Sequence, residues 1–375
     1  MTKKLLILSV SAGAGHMRAA EAVKAYAAQH PGGVQAVHID VMTLVPDAFR
    51  RIYADSYIKL VEGHPALWGY LYKKTDTVAS TAPLSRLRRS IERLNTRQLQ
   101  DVIAAEAPDH ILCTHFLPAE LLAHAIGKGR TMPPVWVQVT DFDLHKMWVQ
   151  KHMAGYFVAS PEIAFRLRQR GIAAELIHVT GIPIMPVFAS RPDRAVCARE
   201  LGIRADLPTF LMMSGGLGLA GMYDAVSRLM QIEGDFQVIA LAGRNKRLLT
   251  QLTTLAVDYP GKLFPHGFTT TIERLMACAD VAVTKPGGLT TSECLATSLP
   301  MIVVSPIPGQ EEHNADFLLE QGVALKAYDA DGLDWRVQAL LANLATLKLM
   351  AERMGPLGKP LAARQVLDIM LSTTP

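Results

Sequence analysis

Two turns near residues 285 and 309 combine glycines with amide and carboxylate side chains, which suits the binding of a phosphorylated sugar. In the first, Gly287 and Gly288 separate a short apolar run from a helical pattern that begins at Leu289. Glycines let the backbone approach a ligand closely, and a helix N-terminus offers free N–H groups and a positive dipole end. Glu293, one turn into that helix, can accept hydrogen bonds from vicinal sugar hydroxyls. By itself this turn fits an ordinary strand–turn–helix corner equally well.

The second turn, Pro308-Gly309-Gln310-Glu311, follows one strand later in the chain. In a parallel sheet both turns open at the same edge, which is where α/β proteins bind their ligands. The pair of turns therefore favours a ligand site over a purely structural corner.

A third glycine turn, residues 11–16, ends in His16 between an apolar strand and an alanine-rich helix. Arg18 stands where a dinucleotide-binding G-x-G-x-x-G motif needs its third glycine, and no Gly-Lys-Ser/Thr follows to make a P-loop. A helix N-terminus disfavours imidazolium, so we expect His16 to stay neutral and able to accept a proton, as a general base must. Composition alone favours the alternative, a structural histidine that caps the loop.

Asp141 follows the apolar strand 135–140. Because open α/β sheets place ligand-contacting residues at the C-terminal ends of their strands, Asp141 is a candidate to orient His16 or to act as the base itself. His145 and Trp148, a few residues further on, are candidate contacts of the same site.

The elements that must position these residues are short apolar runs alternating with helical patterns, which predicts an α/β fold with parallel sheets. Strands are expected at 4–10, 34–40, 110–114, 135–140, 156–159, 175–179, 209–213, 237–241, 262–265, 280–284 and 323–326. Residues 42–105 are mostly helical in pattern and form a long insertion, and long insertions are often functional.

Bulk properties are those of a folded two-domain protein. At 375 residues the chain is too long for one ordinary core, and no apolar run reaches the ~20 residues that span a bilayer. The apolar segment after Lys3-Lys4 is too short for a signal peptide and is interpreted as the first strand. Four cysteines without a C-x-x-C pair argue for a reducing cytoplasm and against disulfides or structural zinc.

Basic charge is concentrated in the segment from Pro46 to Arg97. This segment contains ten Lys/Arg, five Asp/Glu and six aromatic residues, whereas the net charge of the whole chain is +4. Basic and aromatic residues on helices suit an anionic membrane surface. The alternative is a solvated helical face with aromatics in the core. Nucleic acid is disfavoured as a partner, since no nucleic-acid-binding module is recognisable.

Five stretches spread over residues 4–325 carry a resemblance to one family. They read SAGAGHMRAAEAV, VTDFDLHKMWV, VTGIPIMPVF, TKPGGLTTSE and LPMIVVSPIPGQEEHNADF. In this order they resemble the bacterial processive diacylglycerol glucosyltransferases, which are relatives of plant monogalactosyldiacylglycerol synthase and, more distantly, of the peptidoglycan N-acetylglucosaminyltransferase. The resemblance is weakest over 45–105 and the last 50 residues.

The resemblance implies a GT-B fold, which is an α/β architecture of two Rossmann-like, doubly wound parallel-sheet domains facing across a cleft. With the proline-rich linker at 181–186 as boundary, we predict an acceptor- and membrane-binding domain at 1–182 and a UDP-sugar-binding domain at 183–355. A final helix within 356–375 would cross back onto the first domain. The enzyme would be peripheral on the cytoplasmic face of the cell membrane.

The implied activity is inverting transfer of a hexose from a UDP-sugar to diacylglycerol or a glycosyl-diacylglycerol. The resemblance makes His16 the catalytic base, with Asp141 as its partner. The implied donor-binding residues are Gly15, Ser214, Gly215, Gly216, Gly243, Gly267, Phe268, Lys285, Gly287, Gly288, Thr290, Glu293, Gly309, Gln310, Glu311 and Asn314. The implied acceptor and membrane contacts are Trp68, Arg86, Arg88, Arg89, His145 and Trp148.

No cofactor or metal is expected. The pair Asp141-x-Asp143 imitates the metal-binding DxD of another glycosyltransferase fold, but relatives keep only the first Asp and no further acidic cluster accompanies it. This sequence departs from the family pattern at Met185, where relatives usually carry an Arg that the resemblance places near the donor diphosphate. Losing that cation is expected to weaken donor binding unless Lys285 or Arg244 compensates.

Three alternatives stay open from the sequence. The same chemistry could act on another lipid-linked acceptor. A UDP-sugar epimerase shares the fold and would release UDP without an acceptor. A membrane-bound UDP-sugar sensor would bind the donor without turnover. The donor sugar itself, whether glucose, galactose or glucuronate, is not determined by these motifs.

Overall fold

A computed structural model describes residues 2–11, 13–45, 98–213 and 221–373. The chain divides into two compact units. The first contains Met1–Pro186, Ile307–Gln310 and Lys359–Pro375, and the second contains Val187–Pro306 and Glu311–Gly358. Each unit is an α/β sandwich around one parallel sheet, as the alternating pattern predicted.

The first unit is built on a six-stranded parallel sheet with the order β2-β1-β3-β4-β5-β6. Its strands are β1 (Lys3–Ser9), β2 (Val34–Asp40), β3 (His110–Cys113), β4 (Val135–Gln138), β5 (Gly155–Val158) and β6 (Ile177–Val179). In the described residues, the helices α1 (Ala14–Ala28), α2 (Phe116–Gly127) and α3 (Pro161–Gln169) lie between these strands, and residues 98–106 are helical as well. The order reverses direction between β1 and β3, whose registers align Leu8 with Cys113. Such a switch point opens a crevice at the carboxyl edge of the sheet.

The second unit repeats this plan with the strand order β12-β11-β10-β7-β8-β9. Its strands are β7 (Thr209–Met213), β8 (Gln237–Gly243), β9 (Leu263–Gly267), β10 (Val281–Thr284), β11 (Met301–Val304) and β12 (Ala324–Ala327). Its helices are α4 (Arg194–Leu201), α5 (Met222–Met230), α6 (Lys246–Ala256), α7 (Ile272–Cys278), α8 (Gly288–Ala296), α9 (Gln310–Glu320), α10 (Ala330–Ala342) and α11 (Ala345–Met354). The switch point lies between β7 and β10.

The central strands are apolar along their whole length because helices cover both faces of a parallel sheet. Leu6, Ile7 and Leu8 of β1 are completely buried, as are Val281 and Val283 of β10. Continuous apolar runs of strand length are the signal that made these elements predictable from the sequence.

The last helix, α12 (Ala362–Ser372), belongs to the first unit. It packs on α1, and its buried Val366, Leu367 and Met370 join a core cluster that includes Leu5 and Val23. This contact explains why the C-terminal segment has an amphipathic pattern. Within the described residues, no helix combines the length and apolarity that crossing a membrane requires.

Candidate active site

The switch point of the first unit brings two chain segments together at one sheet edge. β1 leads through the glycine turn into α1, so that His16 is the third residue of that helix. The neighbouring strand β3 ends directly before Thr114 and His115. His16 therefore lies at the carboxyl edge of the sheet, where ligands of doubly wound folds bind.

The Nδ1 atom of His16 is held by two residues that sequence reasoning missed. It lies 3.0 Å from the carbonyl oxygen of Thr114 and 2.9 Å from Oγ1 of Thr140. A carbonyl oxygen can only accept, so Nδ1 carries the proton and Nε2 presents a bare lone pair. The Thr114 hydroxyl donates to the carbonyl oxygen of His16 at 3.0 Å, which fixes the helix start as well as the ring.

Burial lowers the pKa of His16 to about 4, although the hydrogen bond to the Thr114 carbonyl raises it in part. The imidazole is therefore neutral at physiological pH, as its place near a helix N-terminus led us to expect. A neutral ring with a free Nε2 can accept a proton from a bound hydroxyl.

Aromatic rings pack against one side of His16. The ring of His115 packs edge-on against it with centroids 4.5 Å apart, and the Trp148 ring lies 6.1 Å away. Phe116 meets Trp148 edge-on at 5.9 Å. Trp148, which was predicted as an acceptor contact, is 3% exposed and forms a buried wall beside His16.

Asp141 lies buried just beyond β4, next in sequence to Thr140. Its Oδ1 accepts a hydrogen bond of 2.7 Å from Nε2 of Gln310, which belongs to the same unit. This hydrogen bond links Asp141 to a predicted donor-binding residue, whereas Thr114 and Thr140 orient His16. The assignment of Asp141 as partner of His16 stays a prediction.

The other polar residues of this loop have structural contacts. Asp143 pairs with Arg166 at 2.7 Å, which accounts for the second Asp of the DxD-like sequence. His145 caps a short 3-10 helix, its Nδ1 accepting from the Met147 N–H at 3.2 Å. No group of three or more His, Cys, Asp or Glu in the described ranges is arranged to hold a metal ion.

In the second unit the turn after β10 opens α8. Gly287 is the N-cap with an extended backbone, and no described side chain caps the helix start. Lys285 is half-buried in the turn. A Cβ at Gly287 would lie 3.8 Å from Oε1 of Glu311, so Glu311 borders the turn as predicted from the paired corners. Free N–H groups and a nearby lysine suit a diphosphate.

Helix α9 carries the second predicted corner. Gly309 adopts a φ of +88°, a conformation that favours glycine. Asn314 is fully buried, and its amide donates to the Pro286 carbonyl oxygen at 3.0 Å. Asn314 therefore ties α9 to the turn before α8, a structural contribution that the sequence did not reveal. Thr290 and Glu293 are half-buried on α8.

Two further predicted donor contacts, Gly243 and Gly267, lie where β8 and β9 end. Gly243 pairs with Gly267 across the two strands at a register shift. Phe268 is 59% exposed, and the guanidinium of Arg244 lies over its ring at 4.7 Å. An exposed aromatic ring backed by a cation is suited to contact with a flat nucleobase.

Met185 is half-buried and packs against the apolar core of the first unit. Its thioether thus fills an apolar site, and the position contributes no cation. Gly15 lies in the first turn of α1, one residue before His16.

Several predicted site residues fall outside the described ranges. They are the predicted donor-binding residues Ser214, Gly215 and Gly216 and the predicted acceptor or membrane contacts Trp68, Arg86, Arg88 and Arg89.

Two family models match the chain. Residues 16–184 match the model described as monogalactosyldiacylglycerol (MGDG) synthase, and residues 222–365 match the glycosyltransferase family 28 C-terminal domain. The first match begins at His16 and includes Asp141. The second includes the turns at Gly287 and Gly309.

Curated relatives agree with these matches. The processive diacylglycerol beta-glucosyltransferase of Bacillus pumilus (strain SAFR-032) is 26% identical over 369 residues, covering 98% of this chain and 94% of the relative. The protein of the same name from Staphylococcus carnosus (strain TM300) is 31% identical over 258 residues, covering 68% of this chain and 65% of the relative.

Solved structures share the architecture at low identity. MurG of Acinetobacter baumannii superposes with a TM-score of 0.66 at 17% identity, covering 99% of this chain and 100% of MurG. The S. aureus MnaA–UDP structure superposes with a TM-score of 0.64 at 14% identity, covering 100% of this chain and 99% of MnaA. These similarities establish the two-domain GT-B fold. The family models and the curated relatives together show that the chain belongs to the family of monogalactosyldiacylglycerol synthases and bacterial processive diacylglycerol glucosyltransferases.

Proposed function

We propose that this protein is an inverting glycosyltransferase that transfers a hexose from a UDP-sugar to diacylglycerol or a glycosyl-diacylglycerol. The observation that carries the proposal is the neutral His16, whose bare Nε2 lies at the switch point of a unit matching the monogalactosyldiacylglycerol synthase model. The relatives are named β-glucosyltransferases. A β-product from an α-linked UDP-sugar requires inversion, and hence a single displacement.

In the proposed mechanism, Nε2 of His16 removes the proton of the acceptor hydroxyl as the oxygen attacks the anomeric carbon. The bond from that carbon to the diphosphate breaks, and UDP leaves with the electron pair. Nδ1 keeps its proton, which stays shared between the Thr114 carbonyl and Thr140. The positive charge on the ring is thereby dispersed toward two oxygens when Nε2 becomes protonated.

The donor would be bound by residues at or after the carboxyl ends of β8, β9, β10 and β11. N–H groups at the start of α8, with Lys285, would stabilise the diphosphate, and Glu293 would hold the ribose. Gln310 and Glu311 would bind sugar hydroxyls, and the Arg244–Phe268 pair supports the placement of the uracil ring beside Gly267. We propose that these preorganised dipoles act without a metal.

The proposed site of action is the cytoplasmic face of the cell membrane. The support is the concentration of basic and aromatic residues between Pro46 and Arg97. Such a segment would attract the enzyme to anionic lipids, at about 1 kcal/mol for each basic residue near the surface.

The function is tested with radiolabelled UDP-glucose, UDP-galactose and UDP-glucuronate, each offered with diacylglycerol in anionic liposomes, with and without EDTA. We expect a labelled glycolipid from one donor, in the same amount when EDTA is present. Release of UDP without any lipid product would favour the epimerase alternative. Binding of UDP without turnover on any lipid would favour the sensor.

His16→Ala is expected to lower turnover at least a hundredfold, because a general base contributes about 10²–10⁴-fold. UDP affinity should not change, because the residues proposed to hold the uracil ring, the ribose and the diphosphate do not include His16. Steady-state rates and calorimetric titration with UDP measure the two quantities. Near-normal turnover in this variant would refute the assignment of His16 as the base.

A further inference from the structure

His115 lies beside the proposed base and has no part in the mechanism above. It follows β3, is 3% exposed, and its ring meets that of His16 at 4.5 Å with an interplanar angle of 82°. Its Nδ1 accepts a hydrogen bond of 3.0 Å from the N–H of Leu117 and so caps α2. Because Nδ1 is used as an acceptor, the ring proton must be on Nε2.

The two neighbouring rings therefore present opposite polarity. His16 donates through Nδ1 to the Thr114 carbonyl and offers a bare Nε2, whereas His115 accepts through Nδ1 and offers an Nε2–H. Burial holds the pKa of His115 well below its usual value, and the adjacent His16 lowers it further. Both rings stay neutral, so neither exchanges its role at physiological pH.

A hydroxyl group needs one acceptor for its proton and one donor for its lone pair. A bare Nε2 and an Nε2–H, on two rings whose centroids are 4.5 Å apart, are together suited to bind one hydroxyl in this way. On His115 the Leu117 N–H already occupies Nδ1, so the Nε2–H is the one donor of this neutral ring. Trp148, whose centroid lies 6.1 and 6.4 Å from the two histidine rings, adds an apolar wall suited to the hydrocarbon part of an alcohol.

We propose that His115 is an acceptor-binding residue whose Nε2–H donates to the acceptor hydroxyl oxygen and turns its O–H toward Nε2 of His16. The proposal rests on the proposed glycosyl transfer. It adds that His115 occupies one lone pair of the acceptor oxygen, so that another lone pair attacks the anomeric carbon. The His115 proton is not transferred. The hydroxyl proton passes to His16 as the oxygen bonds to the anomeric carbon and UDP departs with its electron pair.

The competing explanation is that His115 only caps α2, and two variants separate the explanations. In His115→Asn the side-chain oxygen replaces Nδ1 and keeps the cap, but the Nε2–H is lost. In His115→Gln the side-chain amide nitrogen reaches the place of Nε2 and keeps a donor, but the cap is lost. One variant therefore removes the proposed contact and the other removes the structural one.

We expect His115→Asn to lower kcat/KM for diacylglycerol about tenfold, as for one lost hydrogen bond, mainly through KM. Its melting temperature and UDP affinity should stay near wild type. His115→Gln should keep more of the activity and melt earlier. The reverse pattern, an active His115→Asn and an inactive His115→Gln, would overturn the proposal and mean that His115 only caps α2.

A second measurement does not depend on turnover. In ¹⁵N-histidine-labelled wild-type protein at pH 7, ring nitrogen shifts should show the Nε2–H tautomer for His115 and the Nδ1–H tautomer for His16, each assigned by its variant. An Nδ1–H tautomer at His115 would overturn the proposal even in an active enzyme. If both tautomers are found but the wild type forms no glycolipid, the proposed function fails. The Nε2–H of His115 and the bare Nε2 of His16 would then still be a hydrogen-bonding pair for some other hydroxyl ligand.

Discussion

The partners of His16 show which properties of a single residue can be predicted from sequence. The strand, the glycine turn and the helix that place His16 are adjacent in the chain, so its position could be predicted. Thr114 and Thr140 could not be predicted as its partners, because they lie 98 and 124 residues away and only the sheet brings them near. Their places at strand ends were the one available signal, and the sequence reasoning applied it to Asp141 instead.

The lowered pKa of His16 has a kinetic consequence. A histidine with a pKa of about 6.5 is roughly nine-tenths protonated at pH 5.5, whereas one near 4 is protonated only to a few per cent. We therefore expect kcat/KM at pH 5.5 to keep most of its value at pH 7.5 and to fall only as the pH approaches the pKa of about 4. The profile is measured with saturating UDP-sugar and varied diacylglycerol.

The control for this profile is protein stability, checked by circular dichroism at each pH before the rates are compared. Diacylglycerol has no ionisable group, so an acid limb in the profile belongs to the enzyme or the donor. A loss of activity centred near pH 6.5 in folded protein would contradict the buried, neutral base.

At the scale of secondary-structure elements, the sequence predicted the strands well because each is a short apolar run bounded by turn residues. It could not predict that α9 is tied to the turn before α8. That link is one buried amide, Asn314 to the Pro286 carbonyl, made between residues 28 apart. From sequence, Asn314 was predicted as a donor contact because the family resemblance implied it.

Helix α12 offers the element-scale test. Leu367 is 1% exposed in the core that α12 shares with α1 and β1. Leu367→Ala should lower the free energy of unfolding by about 2–5 kcal/mol, because the lost methyl groups leave a cavity between packed helices. Urea denaturation followed by circular dichroism measures the change.

Gln365, exposed on the same helix, provides the matched control. Gln365→Ala keeps helix propensity and removes no buried surface, so the change should stay within about 0.5 kcal/mol. Equal stability of the two variants would mean that α12 contributes nothing to the core of the first unit.

At the scale of the whole molecule, partly or fully buried imidazoles are concentrated in the first unit. Among the described residues, burial is the leading cause that lowers the pKa of five histidines there and of His266 in the second unit. The five are His16, His38, His110, His115 and His178. Composition gave no indication of this, since a sequence counts histidines without showing which ones the sheets enclose. Both ring nitrogens of His110 are buried without a hydrogen-bond partner among the described residues.

These histidines make the folded state sensitive to acid. In the unfolded chain each imidazole becomes protonated below a pH of about 6.5, whereas His16 in the folded chain becomes protonated only near its pKa of about 4. The stabilising contribution is therefore complete above pH 6.5 and is lost as the pH falls toward 4. We expect the free energy of unfolding to drop between pH 6.5 and 4.5, with His16 alone accounting for about 2 kcal/mol.

His16→Gln isolates that contribution, because carboxylates that titrate in the same range are common to both proteins. Glutamine cannot take up the proton in either state, so the variant should lose about 2 kcal/mol less than wild type between pH 6.5 and 4.5. Urea unfolding at each pH gives the two slopes. Parallel curves would mean that His16 is protonated equally in the folded and unfolded chains, which would also remove the basis for its activity as a neutral base at low pH.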